Sequence, residues 1–286
     1  MNAVISAGAD TLQTVSIGVG IIHPLLPKLR QLKLSGMLNT LEVRAAQAVE
    51  GRLSPTEFLA LLLDDELERR NQGQLRLRLF QAGCQDGKTL AHFDFGEVPT
   101  LNRSQVLELA TGSFVGRHEN ILICGPTGVG KSHVASALSY EAVKRGYRVI
   151  MRPVYQMLND LQAARADGSY RRKLWKLIHV DLLVLDDFGL RPLSAQAIDD
   201  LYEIISERYE RRSIIITSNR AMEEWPEVFG DGLLASAALD RLTHHAHTLV
   251  IRGRSYRQLA RRKEEPKETE TKTILPLKDP ETDFRA

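Results

Sequence analysis

Cysteine is scarce in this chain of 286 residues, occurring only at Cys84 and Cys124. Two cysteines exclude a disulfide-stapled scaffold, and Cys124 falls in an apolar run that reads as a buried strand. A free thiol and a reducing cytoplasm are therefore expected. No apolar run reaches the roughly 20 residues that cross a bilayer. Residues 15–22, VSIGVGII, are apolar but short and lack a basic leading segment, so residues 1–27 read as a weakly ordered leader. A secretory apolar region is the alternative. Excess charge is also missing. The net charge is +2, so bulk charge announces no nucleic-acid partner and local clusters must carry that case. There is no internal repeat. At 43% hydrophobic and 26% charged residues, the composition is that of a soluble globular protein.

What is present centres on residues 125–132, GPTGVGKS, which fit G-x-x-x-x-G-K-[ST]. The apolar run 121–124 precedes them as a buried strand, and Val134, Ala135, Leu138 and Ala142 recur at helical spacing after them. This is the strand–loop–helix context of a phosphate-binding loop. Gly125, Gly128 and Gly130 allow a tight turn whose N–H groups point inward, with Pro126, Thr127 and Val129 completing the cradle. The helix N-terminus adds partial positive charge. Lys131 is placed to reach the β- and γ-phosphates of ATP, and the Ser132 hydroxyl to ligate Mg²⁺.

Around this loop the chain divides into several parts. Residues 28–81 read as a small all-helical N-terminal domain, with Leu29, Leu32, Leu34, Met37, Leu38 and Leu41 in one apolar series. A second helix opens at Ser54-Pro55-Thr56-Glu57, an N-cap, a proline at the first position and a glutamate three residues on. Its expected apolar face is Phe58, Leu59, Leu62 and Leu63. Residues 82–103 hold Gly83, Gly87, Gly96 and Pro99 and read as a connector. From 104 to 258, apolar runs at 121–124, 148–151, 182–185, 214–217 and 248–251 alternate with helical segments, the pattern of an α/β parallel sheet with crossover helices. Residues 259–286 carry mixed charge and few large apolar groups and are expected to be disordered.

Four further strand or helix ends carry candidate chemistry. The run 182–185 ends in Asp186 and Asp187, at the edge where open α/β sheets bind ligands. Asp186 is suited to hold Mg²⁺, and Asp187 to orient and deprotonate the attacking water. The run 214–217 leads to Asn219, which can hydrogen-bond that water or the γ-phosphate, or merely start a turn. Arg241 lies on a predicted helix, where it can project into a neighbouring subunit's nucleotide or pair with Asp240 on the surface. After the last strand, Arg257, or else Arg254, can contact phosphate, or the segment can be a basic surface for DNA.

Taken in order, GPTGVGKSHVA, LLVLDDFG, IIITSN, LDRL and GRSYR resemble the AAA+ ATPases of the DnaC/IstB branch, and within it the IstB-like helper proteins of insertion sequences. LKLSGMLNTLEVRA and SPTEFLALLLDDELERR extend the likeness over about residues 28–258. The resemblance implies a P-loop AAA+ ATPase that self-assembles on double-stranded DNA, bends it, and presents the target to a partner transposase that it stimulates. It places Lys131 and Ser132 in the phosphate loop, Asp186 and Asp187 in the second motif, Asn219 as first sensor, Arg241 as finger and Arg257 as second sensor. The acid pair departs from the usual Asp-Glu. The short stretch after residue 251 departs from the usual helical lid.

Basic groups cluster at Lys144 and Arg145, near Arg148 and Arg152, and at Arg171, Arg172, Lys173 and Lys176. Spread over a homo-oligomer, they suit a phosphate backbone; alone, they suit a solvated helix face. Trp175, among them, is expected in the core or stacking on a partner. His244, His245 and His247 have no carboxylate or cysteine placed in sequence to complete a zinc shell, and their helix-end position favours histidine for dipole reasons. Three functions fit: a transposition helper, a DnaC-like helicase loader, or a nucleotide kinase, which would need no arginine supplied by a neighbour.

Overall fold

The computed structural model describes residues 24–85, 87–230, 232–253, 255 and 256. The leader up to residue 23, Arg254, Arg257 and the charged tail lie outside the described residues. Helix α1, Leu25–Gln31, begins inside the stretch read as leader. The single apolar series predicted after it is broken. Leu34 N–H donates to Leu29 O and Lys33 N–H to Arg30 O, a paired closure of the helix end with Lys33 at φ 56°. Glycine is the usual residue at that position, so a lysine there hid the stop.

Helix α2, Ser35–Glu50, pairs with α3, Pro55–Ala82. The predicted start of α3 is present in full: Glu57 N–H donates to the Ser54 hydroxyl, and Ser54 N–H donates to the Glu57 carboxylate at 2.7 Å. Met37, Leu41 and Leu62 form a small core, with Phe58 against it. Leu59 and Leu63 correct the expected apolar face, being 52% and 46% exposed. Polar ties complete the pair. Arg44 donates twice to Asp65, at 2.8 and 2.7 Å. The buried Glu66 carboxylate accepts from Gly36 N–H at 2.6 Å, capping α2 from a different helix. A Cβ at Gly36 would lie 2.6 Å from Glu66 Cα, so this approach requires glycine. The far half of α3 leaves this unit, and Leu75 and Leu79 pack on the core of the sheet.

The segment 82–103 is more than a connector. It holds a 3₁₀ turn, Leu90–His92, and buries Phe93, Val98 and Leu101 in the sheet's core. Short helices α4, Arg103–Leu109, and α5, Ser113–Gly116, lead into β1, Asn120–Cys124. Then follow α6, Lys131–Lys144; β2, Val149–Pro153; α7, Val154–Ala166; α8, Tyr170–His179; and β3, Leu182–Phe188. The order continues with α9, Ala195–Arg208; β4, Ser213–Ser218; α10, Pro226–Phe229; α11, Gly232–Thr243; and β5, Ala246–Val250.

The five strands form one parallel sheet in the order β2-β3-β4-β1-β5. Strand residues alternate between two cores. Leu183, Leu185, Ile214 and Ile216 face α7, α8 and α9, while Leu182, Val184 and Ile215 face α6. Burial on both sides explains why these strands read as continuous apolar runs. Arg208 is fully buried, and its guanidinium donates to the carbonyls of Leu177, Ile178, Val180, Asp181 and Ser213. It thereby joins the end of α8 to the starts of β3 and β4. Among the described residues, no helix is long and apolar enough to cross a membrane.

Candidate nucleotide site

The order of strands builds the site. β4 lies between β1, which feeds the phosphate loop, and β3, which ends in the two aspartates. Three strand ends therefore meet at one edge of the sheet. Gly125 has φ 155°, and a Cβ there would lie 2.1 Å from Ile251 O, so the loop starts where only glycine fits. Lys131, 5% exposed, opens α6, and its Nζ donates to Pro126 O at 2.8 Å. The ammonium is thus held inside the curl of the loop, next to the helix N-terminus.

Ser132 Oγ donates to Asp186 Oδ1 at 2.9 Å. The same oxygen accepts from the hydroxyl of Thr217 on β4. Thr217 Oγ1 in turn accepts the Asp187 N–H at 3.0 Å. Asp187 itself sits at φ 58°, where the β3–β4 register shifts after Leu185. A non-glycine residue in the left-handed region is held there by its surroundings. Beneath the loop, burial pushes the Cys124 thiol up to about 11, so it is a neutral packing group. Both cysteines are free.

A cavity of about 420 Å³ opens over this cluster, lined by Gly128, Gly130, Lys131, Ser132, Asp187 and Asn219. Its other wall comes from residues that sequence reasoning passed over. Lys88, His92, Phe93 and Asp94 of the connector line it, with His133 of α6 and Tyr256. The Phe93 ring stands edge-on to His133 at 5.3 Å, His133 Nε2 is 2.9 Å from Thr89 O, and Tyr256 donates to Asp94 O at 2.6 Å. No local pattern in the sequence announces this wall.

The glycine turn, the inward ammonium and the hydroxyl–carboxylate pair fit a nucleotide triphosphate with its metal, and the open cavity gives it room. Arg241 is not among the described residues that line the cavity. Its Nη1 donates to Ala237 O at 2.8 Å, and its guanidinium lies 5.5 Å from the Tyr202 ring centroid. Arg257 lies outside the described residues.

The basic groups gather elsewhere, along the edge strand β2. A groove of about 480 Å³ runs between the end of α3 and α8, lined by Arg78, Arg148, Trp175, Lys176 and His179. Arg171 and Arg172 are exposed on α8, while Lys173 Nζ donates to Asp160 O. Lys144 and Arg145 both pair with Glu141, at 3.4 and 2.8 Å. Trp175 is not core: it is 59% exposed and stacks on His179 at 4.3 Å.

A parallel sheet with β4 inserted between the phosphate-loop strand and the acidic strand, carrying lysine, serine, paired aspartates and asparagine at one edge, defines a P-loop ATPase of the AAA+ class. The comparisons with known proteins narrow this. The family model of the IstB-like ATP binding protein matches residues 27–264, and the chain belongs to that family. The "Insertion sequence IS21 putative ATP-binding protein" of Pseudomonas aeruginosa is 38% identical over 260 residues, covering 91% of this chain and 97% of the relative. The "Insertion sequence IS5376 putative ATP-binding protein" of Geobacillus stearothermophilus is 34% identical over 238 residues, covering 83% of this chain and 95% of the relative. Among solved structures, the DnaC helicase loader aligns at 25% identity with a TM-score of 0.43, over 52% of this chain and 91% of that one. The replication initiator DnaA, bound to AMPPCP and single-stranded DNA, aligns at 27% identity with a TM-score of 0.49, over 59% of this chain and 50% of that one.

Proposed function

We propose that this protein is an ATP-dependent transposition helper: it assembles on duplex DNA, presents that DNA to the transposase of its insertion sequence, and hydrolyses ATP between subunits. The observation that carries the reading is the incomplete site. Lys131, Ser132, Asp186, Asp187 and Asn219 converge at one edge, while Arg241 lies on α11, outside the cavity. A neighbouring copy would supply the missing guanidinium.

In this reading the loop amides and Lys131 bind the β- and γ-phosphates. Ser132 and Asp186 would hold Mg²⁺, which when bound neutralises charge on the phosphate oxygens. Asp187 takes a proton from the attacking water, and Asn219 orients that water against the γ-phosphorus. The phosphorus–oxygen bond to ADP breaks as the bond from water forms. Arg241 of the next subunit stabilises the charge that builds up. Phe93 of the connector and His133 of α6, which line the cavity, would receive the base. The exposed cations of α8 and the β2 edge suit a phosphate backbone without base readout. The insertion-sequence names of the relatives support the transposition setting.

The test is ATP turnover against protein concentration, with and without plasmid. Turnover per subunit is expected to rise with concentration and with duplex DNA. Lys131→Ala is expected to lose nucleotide binding and assembly, and Asp187→Asn to keep both while losing hydrolysis. A protein that stays monomeric with saturating ATP, magnesium and plasmid would overturn the proposal.

A further inference from the structure

Three histidines close together, His244, His245 and His247, are not used by the nucleotide site. His247 is accounted for: its Nε2 lies 2.9 Å from Glu119, a carboxylate that Arg117 above all holds down to about 2. The other two sit at the end of α11, just before β5. There the fold supplies what the local sequence lacks. The turn between α9 and β4 brings Glu210 beside them, so that one donor atom each from Glu210, His244 and His245 lie within 4.8 Å of one another.

We infer that Glu210, His244 and His245 form a surface site for a divalent transition-metal ion of the zinc class, at the sheet edge opposite the nucleotide. The donor set decides the class of ion. Two imidazoles and one carboxylate suit Zn²⁺, Co²⁺, Ni²⁺ or Cu²⁺, whereas Mg²⁺ and Ca²⁺ take oxygen ligands. Tetrahedral zinc, with bonds of about 2.0–2.1 Å, sets its ligands about 3.4 Å apart. Exposed side chains reach that spacing from 4.8 Å by small rotations, without moving the backbone. The Tyr209 hydroxyl lies 2.8 Å from His244 Nδ1, the nitrogen that is 3.6 Å from Glu210 Oε1, so an ion bound there takes the place of the tyrosine hydrogen bond. The imidazoles are already neighbours, with centroids 4.0 Å apart. A dipole role at a helix end would account for one histidine; it does not bring a carboxylate from another turn.

All three residues are exposed, so an ion enters from solvent, and water fills the fourth position. Occupancy would staple the α9–β4 turn to the end of α11. Arg241 stands three residues before His244 on that helix, so the ion would stiffen the element that carries the proposed finger. The metal site itself does not depend on the transposition reading.

The experiment is calorimetric titration of the full chain with zinc chloride in excess magnesium chloride, which occupies oxygen-only sites. One zinc per chain is expected. His244→Ala, His245→Ala and Glu210→Gln are each expected to weaken binding about 10–100-fold or more. His247→Ala is the control and is expected to bind as the parent does. Cobalt(II) is expected to give the visible absorption of a four-coordinate site in the parent and not in His245→Ala. The variants lie on the surface, and matching thermal melts without metal would exclude misfolding. Zinc binding that is equal in the parent and all three ligand variants, or no saturable binding in the parent, would overturn the inference.

Discussion

Ser132 and Asp186 hold each other across the sheet edge, Oγ to Oδ1 at 2.9 Å, from positions 54 residues apart. The two groups that would share a magnesium ion are thus already in register before any nucleotide arrives. What keeps them so is the strand between, because Thr217 of β4 donates to the same Asp186 oxygen and accepts the Asp187 amide.

Thr217 is therefore expected to act as a positioning residue. Thr217→Val keeps the shape and removes both bonds. A lost hydrogen bond to a buried charged group is worth about 1–3 kcal/mol, so ATP turnover is expected to fall about 10–100-fold. Nucleotide affinity, which the proposed function assigns to the loop and Lys131, is expected to change by less than about threefold. Steady-state turnover and fluorescent-nucleotide binding measure the two separately. A parallel loss of both would place Thr217 in general folding instead.

The N-terminal helices carry a pH dependence of their own. Burial pushes the Glu66 carboxyl up, but the amides of Gly36 and Met37 and the Arg70 guanidinium together bring it below its ordinary value of 4.5. A carboxylate whose folded value is depressed stabilises the fold above its unfolded value and loses that contribution as pH falls through the folded one. Amide exchange at residues 36 and 37, corrected for intrinsic rates, is expected to speed up below about pH 4.5 in the parent. In Glu66→Gln it is expected to be fast already at neutral pH and flat across that window.

How much of this was legible depends on how local each signal was. The strands, the phosphate loop and Asp186-Asp187 are written in contiguous runs, because a strand buried on both faces needs every residue apolar and its ligand groups follow at once. The start of α3 was legible for the same reason: Ser54, Pro55 and Glu57 act within one turn. The end of α1 was not, since Lys33 adopts the left-handed turn that glycine would have announced. Residues 82–103, which supply part of the cavity wall, read as a connector because their glycines and proline suppress periodicity. Phe93 owes its place to α6 and the chain beyond β5, contacts that no local pattern encodes. Trp175 is exposed although tryptophan suggests core, and the ring it stacks on is His179, one turn away on the same helix. The Glu210–His244–His245 group needed two separate turns to meet, and only the folded chain brings them together.

The proposed DNA surface has a quantitative test in salt. Arg171 and Arg172 are exposed on α8, and Lys173 is tied to Asp160 O. Each phosphate contact contributes about 0.9 to the slope of log affinity against log salt. Arg171→Glu, Arg172→Glu and Lys173→Glu combined are expected to abolish duplex binding at physiological salt. At low salt the slope is expected to be shallower by about 2–3. Nucleotide binding is expected to stay intact, since none of these residues lines the cavity. Fluorescence anisotropy over a salt series reads both. An unchanged affinity at low salt would move the DNA to another face.

The finger role of Arg241 can be separated from a structural one by mixing. In one protomer its guanidinium rests near Tyr202 and on Ala237 O, and Arg241 does not line the cavity. Arg241→Ala leaves the phosphate loop and Asp187 intact on its own subunit. Asp187→Asn leaves Arg241 intact for its neighbour. Each variant alone is expected to lose turnover by about 10³-fold or more, as when a trans arginine is removed from other phosphoryl-transfer sites. A one-to-one mixture creates interfaces in which an intact Asp187 faces an intact Arg241. Random assembly makes about a quarter of the interfaces of that kind, so about a quarter of the parental turnover is expected to return. Recovery cannot arise if Arg241 serves its own subunit, because then every site in the mixture would lack one of the two groups. No recovery in mixtures shown by native mass spectrometry to be mixed assemblies would remove Arg241 as a group supplied by the neighbouring subunit.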